Sequence, residues 1–168
     1  MRSKASGVPP LDELPKLDDH LCFALYAAGN HMTRLFVPFL KKLDVTYPQY
    51  LVLVVLWDRN GLSVGELATT LLMDLGSLSS MLKRMEKKGL VERRRDPGDE
   101  RRVVVSLSAQ GSALRERTKQ MLGEFYCFLS VPVDELSDLR DRLHYFTAFA
   151  GASAIDAAAP PAARSAHA

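Results

Sequence analysis

Apolar residues recur at helical spacing along most of the chain. Leu21, Leu25, Met32, Leu35, Phe36, Phe39 and Leu40 predict a first helix running to about Lys42, capped by Asp18 or Asp19. Pro38 falls inside this pattern and predicts a kink or break. Asp44 to Pro48 reads as a turn, with Thr46 or Tyr47 leading into a second helix and Pro48 in its first turn. That helix, Gln49 to Asp58, is almost wholly apolar and should be buried. Its β-branched run also suits a strand, but its place among helices favours a helix. Ser63-Val64-Gly65-Glu66 has capping-box spacing and opens a short helix to about Leu71. Met73-Asp74 caps the next helix, Leu75 to Lys88, which Gly89 ends. Leu90 to Arg95 and Arg102 to Leu107 are β-capable runs joined by the turn-rich Asp96 to Arg101. Ser108 caps a long helix to about Leu129, and Pro132-Val133-Asp134 opens a last one ending near Phe149.

This order predicts a mainly α fold with a small β-hairpin wing, that is, a winged helix-turn-helix. The expected layout is a loose arm over 1–15 and a helical region over 16–44 and 108–150. A winged lobe spans 45–107, and an Ala/Pro/Ser tail over 151–168 is expected to be disordered.

The helix after Asp74 carries the candidate chemistry. With Leu78 at the centre of one face, Leu75, Met81, Leu82 and Met85 fall within roughly 60° of it. Ser77, Ser79, Ser80, Lys83 and Arg84 occupy the other side with Gly76. Small hydroxyl residues let a helix approach the major groove closely and bond to base edges or phosphates. An ordinary amphipathic surface helix presents the same pattern, so the hairpin decides. Arg93, Arg94 and Arg95 precede its loop and Arg101 and Arg102 follow it, placed to reach a minor groove or straddle phosphates. Asp99, two residues from Arg101, has a place in stiffening that loop.

Charge supports this reading. The net charge of the 168 residues is only +2, but residues 83–102 hold nine basic and five acidic side chains, leaving the rest at −2. Composition is that of a chain able to bury a core, 47% hydrophobic and 25% charged. No apolar run suits a membrane helix or signal peptide, and two cysteines are too few for a disulfide scaffold, so a cytoplasmic location is expected. His20, His31, His144 and His167 show no metal spacing, and there is no phosphate loop, dinucleotide fingerprint or nucleophile elbow. No cofactor, metal, membrane partner or enzymatic activity is expected.

Leu75 to Leu107, with Leu82-Lys83-Arg84-Met85-Glu86-Lys87-Lys88-Gly89-Leu90-Val91 and Asp99-Glu100-Arg101-Arg102, resembles MarR-type winged-helix regulators, over about residues 17–149. The segments from Leu17 to Tyr26 and from Leu43 to Leu51 look like the branch of organic-hydroperoxide sensors (OhrR). The resemblance implies a homodimeric repressor with interlocking terminal helices, bound to a pseudo-palindromic double-stranded operator and released by an effector. It further implies that Cys22 is the peroxide-reactive cysteine. Tyr47 would hydrogen-bond Cys22 across the dimer, and Cys127 stands where two-cysteine members place a resolving cysteine. The family pattern usually has a second tyrosine where this chain has Phe36, which cannot hydrogen-bond a thiolate.

Read from the residues alone, Cys22 lies in the first turn of a helix, whose positive end favours a thiolate, while Asp18 and Asp19 oppose it. Two buried inert cysteines are the alternative. Two other functions stay open: a MarR-type repressor released by a small aromatic or phenolic ligand, and a thiol peroxidase. The missing βαβ pattern argues against the last. Phe125, Tyr126, Phe128, Tyr145, Phe146 and Phe149 form an aromatic stripe suited to core or dimer packing, or to a ligand pocket.

Overall fold

In the computed structural model, residues 14–153 are described. A single 3₁₀ turn, Leu17–Asp19, leads into α1 (Leu21–Lys41), α2 (Tyr47–Asp58), β1 (Leu62–Ser63), α3 (Val64–Leu71) and α4 (Leu75–Lys87). β2 (Val91–Asp96), β3 (Asp99–Leu107), α5 (Ala109–Leu129) and α6 (Val133–Ser153) follow. The described residues form two compact units that divide between Phe125 and Tyr126. The first holds every element up to Phe125; the second holds the end of α5 and α6. The N-terminal arm up to residue 13 and the tail from residue 154 lie outside the described residues. α6 continues past the expected end at Phe149 to Ser153.

Local chemistry explains the helix ends. Ser63 and Glu66 close the expected capping box at α3: the Glu66 amide donates to Ser63 Oγ at 3.2 Å, and the Ser63 amide donates to Glu66 Oε2 at 2.8 Å. At α4, Asp74 Oδ1 accepts the Ser77 amide at 2.8 Å. These bonds hold the carboxyls of both Glu66 and Asp74 below their usual range, the Ser63 hydroxyl and the Ser77 amide being the first causes. At α2, the Thr46 amide donates to the buried Gln49 side chain at 3.0 Å. Gly89 ends α4 with φ +72°.

The structure departs from the sequence pattern or adds to it at three points. α1 is not capped by Asp18 or Asp19: these sit in the 3₁₀ turn, and His20 takes the cap position with its ring directed to the Pro15 carbonyl at 3.2 Å. α1 runs unbroken through Pro38, which removes one amide donor close to the helix end. The sheet has three strands, ordered β1-β3-β2, because Leu62 and Ser63 pair with Val105 and Val104. Two residues are too short a run to show a period, so β1 left no trace in the hydrophobic pattern.

The core of the first unit gathers Leu40, Val52, Leu53, Leu56, Leu67, Leu78, Leu82, Met85, Val91 and Val105, each at most 2% exposed. α2 is thus a buried helix, as its apolar run implied. Leu78, Met81, Leu82 and Met85 face inward from α4. Leu75 does not: as the first residue of α4 it projects beyond the packed body and is 58% exposed.

The turn between α3 and α4 is strained at Leu72, a non-glycine residue with φ +53° and 83% exposure. Little packing is lost by truncating it, whereas the left-handed conformation costs a side chain about 1 kcal/mol. Leu72→Gly is therefore expected to raise the melting temperature by a few degrees, measured by circular dichroism. A lowered melting point would mean that the leucine packs usefully in spite of its exposure.

Candidate DNA-binding site and thiol positions

α4 sits on the core through its apolar stripe and turns Gly76, Ser77, Ser80, Lys83 and Arg84 to solvent. Ser79 is half-buried. It lines a groove of about 440 Å³ with Ser63, Leu75, Arg93, Arg101 and Arg102, between the start of α3, α4 and the hairpin. The structure thus brings Ser79 and Arg101 to one groove and leaves the other α4 positions on an open face.

The hairpin is longer than the sequence pattern suggested. Its strands run to Asp96 and from Asp99, with Asp96 opposite Asp99, so only Pro97 and Gly98 form the turn. Asp96 Oδ1 accepts the Gly98 amide at 2.9 Å, and Asp99 Oδ1 accepts the Arg101 amide at 3.0 Å. Asp99 therefore stiffens the loop through the backbone of Arg101, leaving that guanidinium to solvent. Arg95 is also exposed. Arg94 is exposed and pairs with Glu92 at 2.8 Å, a surface contact of little energetic weight.

Period-2 alternation puts Arg93 on the inward face, opposite the buried Val105. Its side chain is only 16% exposed and meets Glu86 of α4 at 3.4 Å. Arg102, grouped by its position with the hairpin arginines, is held within the fold. It bridges Glu66 of α3 at 2.9 Å and Asp96 near the turn at 3.8 Å, contacts between residues far apart in the chain.

Cys22 is the second residue of α1 and is exposed. Tyr47 opens α2, and its ring lies 5.9 Å from Phe36 and 6.2 Å from Tyr50. Phe36 is buried, packing edge-on against Tyr50 at 5.4 Å and Phe125 at 4.4 Å. Phe36 lies fourteen positions along α1 from Cys22, a rise of about 21 Å. Within one chain, Tyr47 therefore lies far beyond hydrogen-bond reach of Cys22. Tyr26 is exposed and Tyr50 belongs to the Phe36 cluster. Cys127, in the second unit, is exposed on α5.

Of the aromatic stripe, Phe125 is core, while Tyr126, Phe128, Tyr145 and Phe146 are exposed. The side chain of Phe149 lies outside the described residues. Among the described residues no helix is long and apolar enough to cross a membrane, and no cluster of three metal-ligating side chains occurs.

A helix-turn-helix backed by a three-stranded sheet, with a cationic hairpin beside the second helix, defines a winged-helix DNA-binding protein. The MarR family profile matches residues 45–103. The organic hydroperoxide resistance transcriptional regulator of Bacillus subtilis is 40% identical over 129 residues, covering 77% of this chain and 88% of that protein. Reduced AbfR bound to DNA, a Staphylococcus epidermidis protein, superposes with a TM-score of 0.67 at 28% identity, covering 79% of this chain and 93% of that one. An Escherichia coli MarR variant in complex with operator DNA superposes with a TM-score of 0.68 at 32% identity, covering 75% and 92%. This chain belongs to the MarR family and is a DNA-binding transcriptional regulator.

Proposed function

We propose that the protein is a homodimeric repressor that senses organic hydroperoxide through Cys22 and then leaves a pseudo-palindromic operator. One observation carries this reading: Cys22 is exposed at the start of α1, about 21 Å from the level of its own Tyr47 cluster. Tyr47 can meet this thiol only from a second copy. The hydroperoxide-resistance regulator of Bacillus subtilis lends the oxidant class. Exposed apolar residues support the pairing: Leu17, Leu21 and Leu35 in the first unit, and Tyr126, Phe128, Leu139, Leu143 and Phe146 in the second. In this reading the regions 16–44 and 108–150 dimerise, 45–107 reads DNA, and Ser77, Ser79, Ser80, Lys83, Arg84, Arg94, Arg95 and Arg101 contact it.

The Cys22 sulfur takes the terminal oxygen of the hydroperoxide; the O–O bond breaks, the alcohol leaves and a sulfenic acid remains. The Cys127 thiol of the second copy attacks that sulfur, water leaves and a disulfide joins the two chains. A hundredfold loss of operator affinity needs only about 2.7 kcal/mol of difference between the two states. Phe36, buried against Tyr47, leaves Tyr47 to hold the thiol without the second tyrosine.

Non-reducing electrophoresis after cumene hydroperoxide tests the chemistry. Wild type is expected to give a covalent dimer and to release DNA; Cys127→Ser gives no covalent dimer; Cys22→Ser stays on DNA. Release of Cys22→Ser by peroxide would sink the thiol reading. A cavity of about 300 Å³ favours a second reading, release by a small ligand. It lies between the α1–α2 turn, the end of α4 and α5, lined by Lys42, Asp44, Lys88, Gln110 and Arg117. Substitution of Arg117 would then abolish release while leaving Cys22 without effect.

A further inference from the structure

Glu66 stands at the third position of α3, where its carboxylate already serves the helix cap. The same oxygen, Oε2, accepts Arg102 Nη2 of β3 at 2.9 Å. Arg102 Nε in turn faces Asp96 Oδ2 at 3.8 Å, and the other Asp96 oxygen holds the Gly98 amide in the hairpin turn. A polar path thus runs from the helix-turn-helix to the hairpin tip. A second ion pair joins the hairpin to the helices, Arg93 of β2 with Glu86 of α4 at 3.4 Å.

We propose that Glu66 and Arg102 form a strut that fixes where the hairpin meets DNA, and that Arg102 serves this positioning instead of contacting DNA. The inference rests on the reading that the hairpin touches DNA. Its consequence runs against simple electrostatics. Removing the negative charge of Glu66 should strengthen attraction to a polyanion if charge alone mattered. If the strut matters, binding weakens, because Arg95 and Arg101 are held less well against their phosphates although no cation has been deleted.

The test uses Glu66→Gln, whose amide oxygen can still accept the Ser63 amide and keep the cap, while the charge that draws Arg102 is removed and the ion pair falls to a weaker neutral contact. The probe is a fluorescent duplex of about 40 base pairs, selected from a random pool by the wild-type protein and long enough for two half-sites. Glu66→Gln is expected to bind about tenfold more weakly, with a shallower dependence on salt and an unchanged melting temperature. Arg102→Gln should match it, and the double variant should be no worse than either single one. Unchanged or tighter binding by Glu66→Gln, or additive losses in the double variant, would overturn the strut. A separate arm, Arg95→Ala/Arg101→Ala, tests the underlying reading. Normal binding there removes the hairpin from the interface and the strut with it; impaired binding there with normal Glu66→Gln overturns the strut alone.

Discussion

Gly111→Ala is expected to destabilise the protein by roughly 3 kcal/mol or more, the upper end of what overpacking costs. A Cβ at this position would lie 2.0 Å from the Leu90 carbonyl oxygen and 3.0 Å from its carbon. The obstacle is backbone, not a side chain that can swing away. The close approach has a clear cause: the first turn of α5 lies against the α4–β2 junction. The Ser108 amide donates to Leu90 O at 3.2 Å, and Ser108 Oγ bonds the Gly89 carbonyl and accepts the Gly111 amide. Trp57 completes the joint, its indole donating to Gly111 O at 3.0 Å. Separating α5 from Leu90 would break these bonds together. For a chain of this size the melting temperature should fall by about 10 °C. Gly65→Ala is the control, since a Cβ there meets nothing within 4 Å. It should leave stability equal or slightly higher. An unchanged melting point for Gly111→Ala would show that the junction yields more easily than its geometry implies.

That joint marks a boundary of what the sequence makes legible. Gly111 is an ordinary residue in a predicted helix, and nothing near it in the chain announces Leu90. Capping residues were readable because their partners lie within three positions: Ser63 with Glu66, Asp74 with Ser77, Ser108 with Gly111. The α4 stripe was readable because burial recurs with the helical period. Leu75 escaped the rule because a period says nothing of where the facing surface stops. β1 escaped because its two residues owe their strand geometry to β3, about 40 positions away.

The candidate site divides along the same line. Local pattern pointed to the cationic hairpin and the hydroxyl-rich helix, both of which the fold turns outward. Local pattern did not separate the arginines by task. Arg93 faces inward to Glu86 and Arg102 is held by Glu66, while Arg95 and Arg101 stay exposed. Only long-range pairing tells these roles apart. For Cys22, sequence gave a helix start, and the structure adds exposure and distance from Tyr47.

The exposed arginines yield the other large effect. Arg95→Ala/Arg101→Ala is expected to weaken DNA binding about 10³-fold at about 0.15 M salt, with little dependence on sequence. In the proposed dimer, two substitutions in each of two copies delete four cations. Each phosphate contact is worth about fivefold between molar and 0.15 M salt, so four compound to that size. The slope of log affinity against log salt should fall by about 4. Arg94→Ala should do less, because Glu92 already offsets that charge. Ser79→Ala and Ser80→Ala should behave in the opposite way: a modest loss on the preferred duplex, an unchanged salt slope, and relaxed preference at one or two base positions. Fluorescence anisotropy over a salt series, on a preferred and a scrambled duplex, separates the two classes. If the arginine variant loses preference but keeps its slope, the hairpin reads bases instead of phosphates, and affinity must come from the Lys83 and Arg84 face of α4.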